Sequence, residues 1–205
     1  ATQFTSYGTP RPVGFTNYAY HHGLKNRYVR HLATDGHGFL WLATNGGVYR
    51  FDGANFKPYN SGTNNGQLLS NKCRTVHVDS NGDIWIGTNH GVHRYNALED
   101  GFEPINFGIP NLVTVYPDKL GHPAIDVKCI YEVDRVLYFG TRRNGIICYD
   151  LETQSYIGSI SNKTWTTEIK INDIAAIITA GDNQLYLAAD NQGLVKIDLS
   201  EKSAY

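Results

Sequence analysis

One motif recurs four times along the chain, and a repeat of this length restricts the fold more than any other property of the sequence. The copies read FLWLATNGGVYRFDG from Phe39 to Gly53, DIWIGTNHGVHRYN from Asp83 to Asn96, VLYFGTRRNGIICYD from Val136 to Asp150 and QLYLAADNQGLVKID from Gln184 to Asp198. An aromatic opens each core: Trp41, Trp85, Tyr138 and Tyr186, at spacings of 44, 53 and 48 residues. Six or seven residues later stands a glycine with an apolar partner: Gly47-Val48, Gly91-Val92, Gly145-Ile146 and Gly193-Leu194. Asp52, Asn96, Asp150 and Asp198 close the copies.

The repeat extends upstream, where Val29–Trp41, Cys73–Trp85 and Ile174–Tyr186 align without gaps and the third copy is one residue shorter. Each segment holds an apolar run, a turn of hairpin residues and then the aromatic. Downstream, Phe56–Tyr59, Phe102–Phe107 and Ser155–Ile160 each read as one more strand. Short strands joined by turns at this period predict blades of a β-propeller, and no 3.6-residue period persists to suggest helices. A lone four-stranded sheet cannot hide both its faces, but stacked blades can. The expected architecture is therefore all-β, a partial β-propeller of about four four-stranded antiparallel blades, read as one domain over 1–205. Its parts are an N-terminal strand segment at 1–20 (Phe15–Tyr20), blades at 21–60, 61–107 and 108–160, and an incomplete blade at 161–205. The four aromatics should occupy equivalent buried positions.

A formal net charge of -1 argues against nucleic acid as a partner, since such surfaces carry a basic excess. No run approaches the roughly 18 apolar residues of a membrane span. Cys73, Cys129 and Cys148 lack metal-ligand spacing and lie in strand-like apolar runs, so they read as small buried side chains; no metal or other cofactor is expected. Met is absent, and Ala1 reads as a processed or engineered start.

The pattern Asp-x-x-Gly-x-Leu/Ile-Trp-Ile/Leu-Gly/Ala-Thr-x-x-Gly-Val-x-Arg-Phe/Tyr-Asp/Asn, close at 35–52 and 79–96 and weaker at 133–150 and 181–198, resembles the two-component regulator propeller repeat. Tyr20-His21-His22-Gly23-Leu24, followed by Asn26 to Val29, is similar to the start of such ectodomains. The resemblance implies the periplasmic sensor part of a hybrid two-component system of the kind common in gut Bacteroidetes. Such sensors carry two seven-bladed propellers, a β-sandwich, a membrane helix and a cytoplasmic histidine kinase, and many respond to oligosaccharides. This chain would then be a non-enzymatic fragment of one, completed by the remaining blades and domains and prone to self-association by itself. The competing readings are a propeller lyase or glycosidase, which needs a paired acid/base constellation, and a scaffold that binds only proteins. The acids here fall mostly in turns: Asp35, Asp79, Asp150 and Asp198.

Writing A to D for the strands of a blade, loops B–C and D–A share one face, and the D–A connections near 60–72, 108–125 and 161–170 are long and uneven. Binding residues concentrate on such loops. On this face Arg142 and Arg143 could clamp a carboxylate or sulfate, or could be a solvated surface pair. His90 lies in the B–C turn of the second copy. Trp165 could stack on a sugar or plug a blade edge. Arg30, Arg74 and Lys128 share one repeat position near the start of strand A, where the fourth copy has Ala175. They form either a basic ring that holds an anion or partners for carboxylates of neighbouring blades. The expected ligand is an oligosaccharide, an anionic one if these cations take part. His21-His22 reads as a surface pair, and Asp79–Asp83 as a hairpin turn rather than a calcium loop, because Ile84 and His90 stand where that loop needs glycine and an acid.

Overall fold

A strand buried on both faces reads as a continuous apolar run rather than an alternating one. The central strands of all four copies read this way, and the computed structural model, which describes residues 14–62, 68–109, 125–161, 171–180 and 183–199, buries the first three on both faces and the fourth on alternate residues. The strands form four antiparallel sheets in chain order. The first comprises β1 (Val29–Thr34), β2 (Leu40–Thr44), β3 (Gly47–Phe51) and β4 (Phe56–Tyr59). The second holds β5 (Cys73–Val78), β6 (Ile84–Thr88), β7 (Gly91–Asn96) and β8 (Gly101–Pro104). The third holds β9 (Asp126–Val133), β10 (Val136–Arg142), β11 (Ile146–Asp150) and β12 (Ser155–Ile160). β13 (Ile174–Thr179), β14 (Gln184–Ala189) and β15 (Gly193–Asp198) make the fourth, three-stranded among the described residues.

Neighbouring blades share their cores. In β2, Trp41 and Ala43 face the second blade and pack with Ile84, Ile86 and Phe102, while Leu42 points the other way with Leu24 and Tyr49. In β6, Trp85 turns toward Phe139, Ile147 and Tyr149 of the third blade. In β10, Tyr138 joins Ile174, Leu185 and Leu187 of the fourth. The strand period of two thus sends alternate side chains of one strand into two different junctions. Register places the four aromatics at one repeat position: Trp41 opposite Ala33 and Arg50, Trp85 opposite His77 and Arg94, Tyr138 opposite Tyr131 and Cys148, Tyr186 opposite Ile178 and Lys196. Trp41, Trp85 and Tyr138 are buried, but Tyr186 is only half-buried. That departure from the expected set has a simple cause. The first three aromatics each pack on a following blade, and no following blade covers Tyr186 among the described residues.

The Asp of the Asp-x-x-Gly turn does two jobs. Asp35 Oδ1 accepts the N–H groups of His37 and Phe39, and Oδ2 accepts Trp41 Nε1–H at 2.7 Å. Asp79 repeats this with Asn81, Asp83 and, at 2.8 Å, Trp85 Nε1–H. A buried indole needs such a partner. The third copy has a phenol in place of the indole and has no Asp-x-x-Gly. Its turn instead shortens to Asp134-Arg135, both at positive φ (47° and 62°), the geometry of a two-residue hairpin loop.

Two expectations are corrected. Residues 15–19 form no strand; they lead into a short 3-10 turn at Tyr20–His22. The segment lies across the outer face of the first blade, where the Tyr18 ring meets Phe51 and Phe56 edge-on (centroids 4.9 and 5.7 Å apart) and Leu24 is buried. Side-chain packing, not a backbone ladder, holds it, because a face rather than a strand edge is what it covers. The strand read at 102–107 spans only Gly101–Pro104, since Pro104 supplies no N–H to continue the ladder, although Ile105 N–H still reaches Val92 O (2.9 Å).

Gly145 shows why the B–C glycine recurs. It sits at φ +66°, and a Cβ there would lie 2.2 Å from Ile160 O and 2.8 Å from Ile171 O. Gly145→Ala should therefore lower stability by about 1–3 kcal/mol in a urea titration. The same change at Gly36, which has open space around it and no positive φ, should be near neutral.

Candidate ligand-binding face

All four innermost strands carry a β-bulge near their start, at the second residue of β1, β5 and β13 and the third of β9. The register jumps between Val29 and His31, Cys73 and Thr75, Val127 and Cys129, and Ile174 and Ala176. The extra residues are Arg30, Arg74, Lys128 and Ala175, so the basic repeat position read from the sequence is a bulge position, and a bulge re-aims its side chain.

What these cations meet decides between a ring and pairing. Arg74 forms a two-point contact with Asp126 of the next blade, Nε–Oδ1 at 2.7 Å and Nη2–Oδ2 at 3.0 Å. Lys128 Nζ lies 2.6 Å from Asp173 Oδ1 and 2.7 Å from Asp190 Oδ2, both in the fourth blade. Burial alone would lower the Lys128 pKa, yet the hydrogen bonds to Asp173 and Asp190 outweigh it and raise the pKa above its ordinary value. Arg74 and Lys128 are thus held in junctions between blades. Arg30 is different. It is exposed, and its Nε–H donates to Asn45 Oδ1 (3.1 Å) in its own blade.

Arg142 and Arg143 diverge rather than forming a fork. Arg142 ends β10, its Nε 3.7 Å from Asp173 Oδ2. Arg143 lies in the turn at φ 87°, exposed, its backbone N–H donating to Asn172 O. The turn itself is tied by Thr141, whose Oγ1–H donates to Gly145 O (2.7 Å) and accepts Asn144 N–H (3.0 Å). Thr44 and Thr88 repeat that arrangement. In the second blade the turn holds Asn89 and His90, whose Oδ1 and Nδ1 are buried with no hydrogen-bond partner. Trp165 lies outside the described residues, as do 63–67, 110–124 and most of 161–170.

A cleft of about 610 Å³ opens on the opposite face, between the A–B turns of the first two blades, lined by residues including Asp35, Phe39, Arg50, Asn81 and Asp83. Its polar groups are largely engaged. Asp35 holds Trp41, Arg50 Nη1–H donates to Tyr95 OH (3.2 Å), and Asn81 Oδ1 accepts from Arg135 (3.1 Å). The turn acids elsewhere are also structural. Asp52 accepts the Asn55 and Ala54 N–H groups, and Asp150 those of Thr153 and Glu152; these bonds hold both carboxyls below the usual range. Sequence reasoning missed the acidic partners Asp126, Asp173 and Asp190. The signal was one residue away: extending the repeat alignment upstream of strand A puts Asp126 and Asp173 in one column.

The comparisons with known proteins agree with this geometry. The two-component regulator propeller repeat matches residues 23–46 and 67–90, each starting six residues ahead of an innermost strand and ending in the B–C turn of that blade. Residues 23–46 and 67–90 are thus similar to two-component regulator propeller repeats. The chain superposes on the extracellular domain of a hybrid two component system of B. thetaiotaomicron with a TM-score of 0.75 at 25% identity, over 91% of this chain and 25% of that one. A second such domain from the same organism gives 0.67 at 19% identity, over 88% and 24%. The chain spans about a quarter of the length of those extracellular domains. Streptogramin B lyase gives 0.55 at 14% identity, over 89% and 58%, a likeness of fold alone. No curated protein sequence matches the chain.

Proposed function

We propose that these propeller repeats are a ligand-sensing segment of the periplasmic domain of a hybrid two-component sensor, that the ligand is an oligosaccharide, and that the segment performs no chemistry on it. The repeat match, together with the likeness to an extracellular sensor domain over 91% of the chain, carries this reading. Two further observations support it. Asp35, Asp79, Asp52 and Asp150 are engaged in turns rather than paired for acid/base work. The B–C turns, tied to the scaffold by Thr44, Thr88 and Thr141, present differing side chains, among them Asn45, His90 and Arg143.

A thermal-shift screen of neutral, uronate-bearing and sulfated oligosaccharides, with product analysis on each hit, tests the proposal. A specific upward shift without turnover is expected. Turnover would make the segment an enzyme, and silence across the panel would leave a protein-binding scaffold. For an anionic hit, Arg143→Ala should weaken binding while changing stability by under about 0.5 kcal/mol, as is usual for an exposed side chain. Unchanged affinity would remove Arg143 from the site.

The outer face of the fourth blade exposes Ile178, Ala188 and Leu194 around half-buried Tyr186. Contiguous apolar surface of this kind finds a partner. We propose that in the full-length sensor further blades cover it, and that this chain by itself self-associates through it. Sedimentation equilibrium should show a dimer at high micromolar concentration that Leu194→Lys disperses. A monomer throughout the range would show that the face is tolerated bare.

A further inference from the structure

The described junctions between consecutive blades follow one plan, which makes a departure in one of them informative. The B–C glycine of each blade donates its N–H to the residue just ahead of the next blade's innermost strand segment: Gly47 to Asn71 O (2.8 Å), Gly91 to Ile125 O (2.7 Å) and Gly145 to Asn172 O (3.4 Å). The residue after each acceptor is thereby carried toward the bulged cation of the preceding blade. At the second junction that residue is Asp126, which pairs with Arg74; at the third it is Asp173, which pairs with Lys128. At the first junction the bulged residue is Arg30, and the residue after Asn71 is Lys72.

The second position of the slot changes in the same sense. Asp190, which also holds Lys128, has no acidic counterpart in the second blade, where the aligned residue is Asn89. That alignment is fixed by the backbone, since Asn89 N–H donates to Lys72 O (3.2 Å) as Asp190 N–H donates to Asp173 O (2.9 Å). Asn89 Oδ1 is buried and unpartnered. One junction of this plan therefore presents two cations and an amide where another holds a cation between two carboxylates. Both Arg30 and Lys72 are exposed, and Asn45 engages only Arg30 Nε–H in the described contacts, so the Nη groups point to no described acceptor.

We propose that the junction between the first and second blades binds an oxyanion, a carboxylate or a sulfate, which supplies to Arg30 and Lys72 the negative charge that an aspartate in the Lys72 position supplies at the other two junctions. Arg30 would offer its guanidinium N–H groups and Lys72 its ammonium, and charge-assisted bonds of this kind are the strong ones. The inference goes beyond oligosaccharide sensing, because an anion can occupy the slot whatever molecule carries it.

The test is an NMR titration of the chain with sodium sulfate, with glucuronate and with glucose at constant ionic strength, following the Arg30 side-chain Nε–H and the Lys72 amide. Sulfate and glucuronate should each give saturable shifts at both positions, and glucose none. A response to sulfate without glucuronate would assign the slot to a sulfate group, inorganic or esterified, rather than a sugar acid. Lys72→Asp installs the acid found at the other two junctions. It should fold normally and weaken sulfate binding more than about tenfold, because an attractive charge beside the anion becomes a repulsive one. The proposal is overturned if neither anion gives a saturable shift, or if Lys72→Asp binds sulfate as tightly as the parent chain.

Discussion

Replacing Trp85 with alanine should cost about 3–5 kcal/mol of folding stability, the largest loss expected from a single change in this chain. The indole is 1% exposed and fills the junction between the second and third blades, its ring centroid 5.4 Å from that of Tyr149 and 6.0 Å from that of Phe139. Arg94 lies over it at 5.8 Å. Truncation removes that packing and also strips Asp79, itself buried, of the indole N–H it accepts. Leaving a buried carboxylate short of a donor adds to the cavity cost. Trp85→Phe separates the two contributions. It keeps most of the apolar contact and loses the hydrogen bond, so its cost should be about 1–3 kcal/mol. Urea denaturation of the three proteins measures both. If Trp85→Ala costs under about 1 kcal/mol, the junction is not the packed core described here.

The repeat was legible because its information is local. Turn residues, a β-branched or aromatic run and a glycine at fixed spacing lie within about fifteen residues of one another, and β2, β3 and β4 fall where the pattern put them. Contacts between blades are not local. Nothing in the spacing of Arg74 shows that Asp126, 52 positions on, will meet it; only the bulge and the repeat alignment together do. The coupling of Asp35 to the Trp41 indole is hidden for another reason. An Asp in a hairpin turn is sufficiently explained by its backbone bonds, so a second role for Oδ2 leaves no separate trace. Residues 15–20 misled because aromatic and β-branched residues suit a strand and a packed coil alike, and the choice depends on which surface of the first blade is left to cover. For the candidate face, sequence identified the bulged cations but not which remain available. Arg74 and Lys128 are paired across junctions, and Arg30 is left with an amide.

The second large effect is a loss of stability in mild acid. His93 is fully buried in β7, where its Nε2 accepts Leu69 N–H at 3.0 Å and pins the end of the connection into the second blade. Burial, reinforced by His90, depresses its pKa from 6.5 to about 4. The unfolded imidazole takes up a proton as the pH falls through 6.5, while the folded one resists until about 4. The unfolded state therefore binds more protons in that window. Stability contributed by neutral His93 is fully present above 6.5 and is lost progressively down to 4, by up to about 3 kcal/mol. His77, lowered by burial against the opposing pull of Glu132, adds to the loss in the same direction. The depressed carboxyls of Asp52 and Asp150 act in a lower pH range. Urea midpoints between pH 7.5 and 4 should fall steeply in the parent chain. His93→Gln keeps an acceptor for Leu69 and cannot titrate, so its profile should be flatter. An unchanged slope in that variant would place the acid sensitivity elsewhere.

The three cysteines add an internal check on folding in these experiments. Burial pushes the thiols of Cys73, Cys129 and Cys148 up to about 12. A disulfide reagent at pH 8 should leave them largely unmodified in the folded chain and label all of them in urea, since the thiolate is the reacting species. Rapid labelling of the native chain would show that these junctions open.

Chemical-shift mapping with whichever oligosaccharide gives the largest thermal shift tests the central claim, that these propeller repeats recognise a ligand on the face of their B–C turns. The account predicts saturable amide perturbations clustered at Asn45, Asn89, His90 and Arg143, with Gly36 and Gly82 in the cleft of the opposite face unmoved. Perturbations confined to Gly36, Phe39, Asn81 and Asp83 would contradict it and move recognition to the other side of the blades.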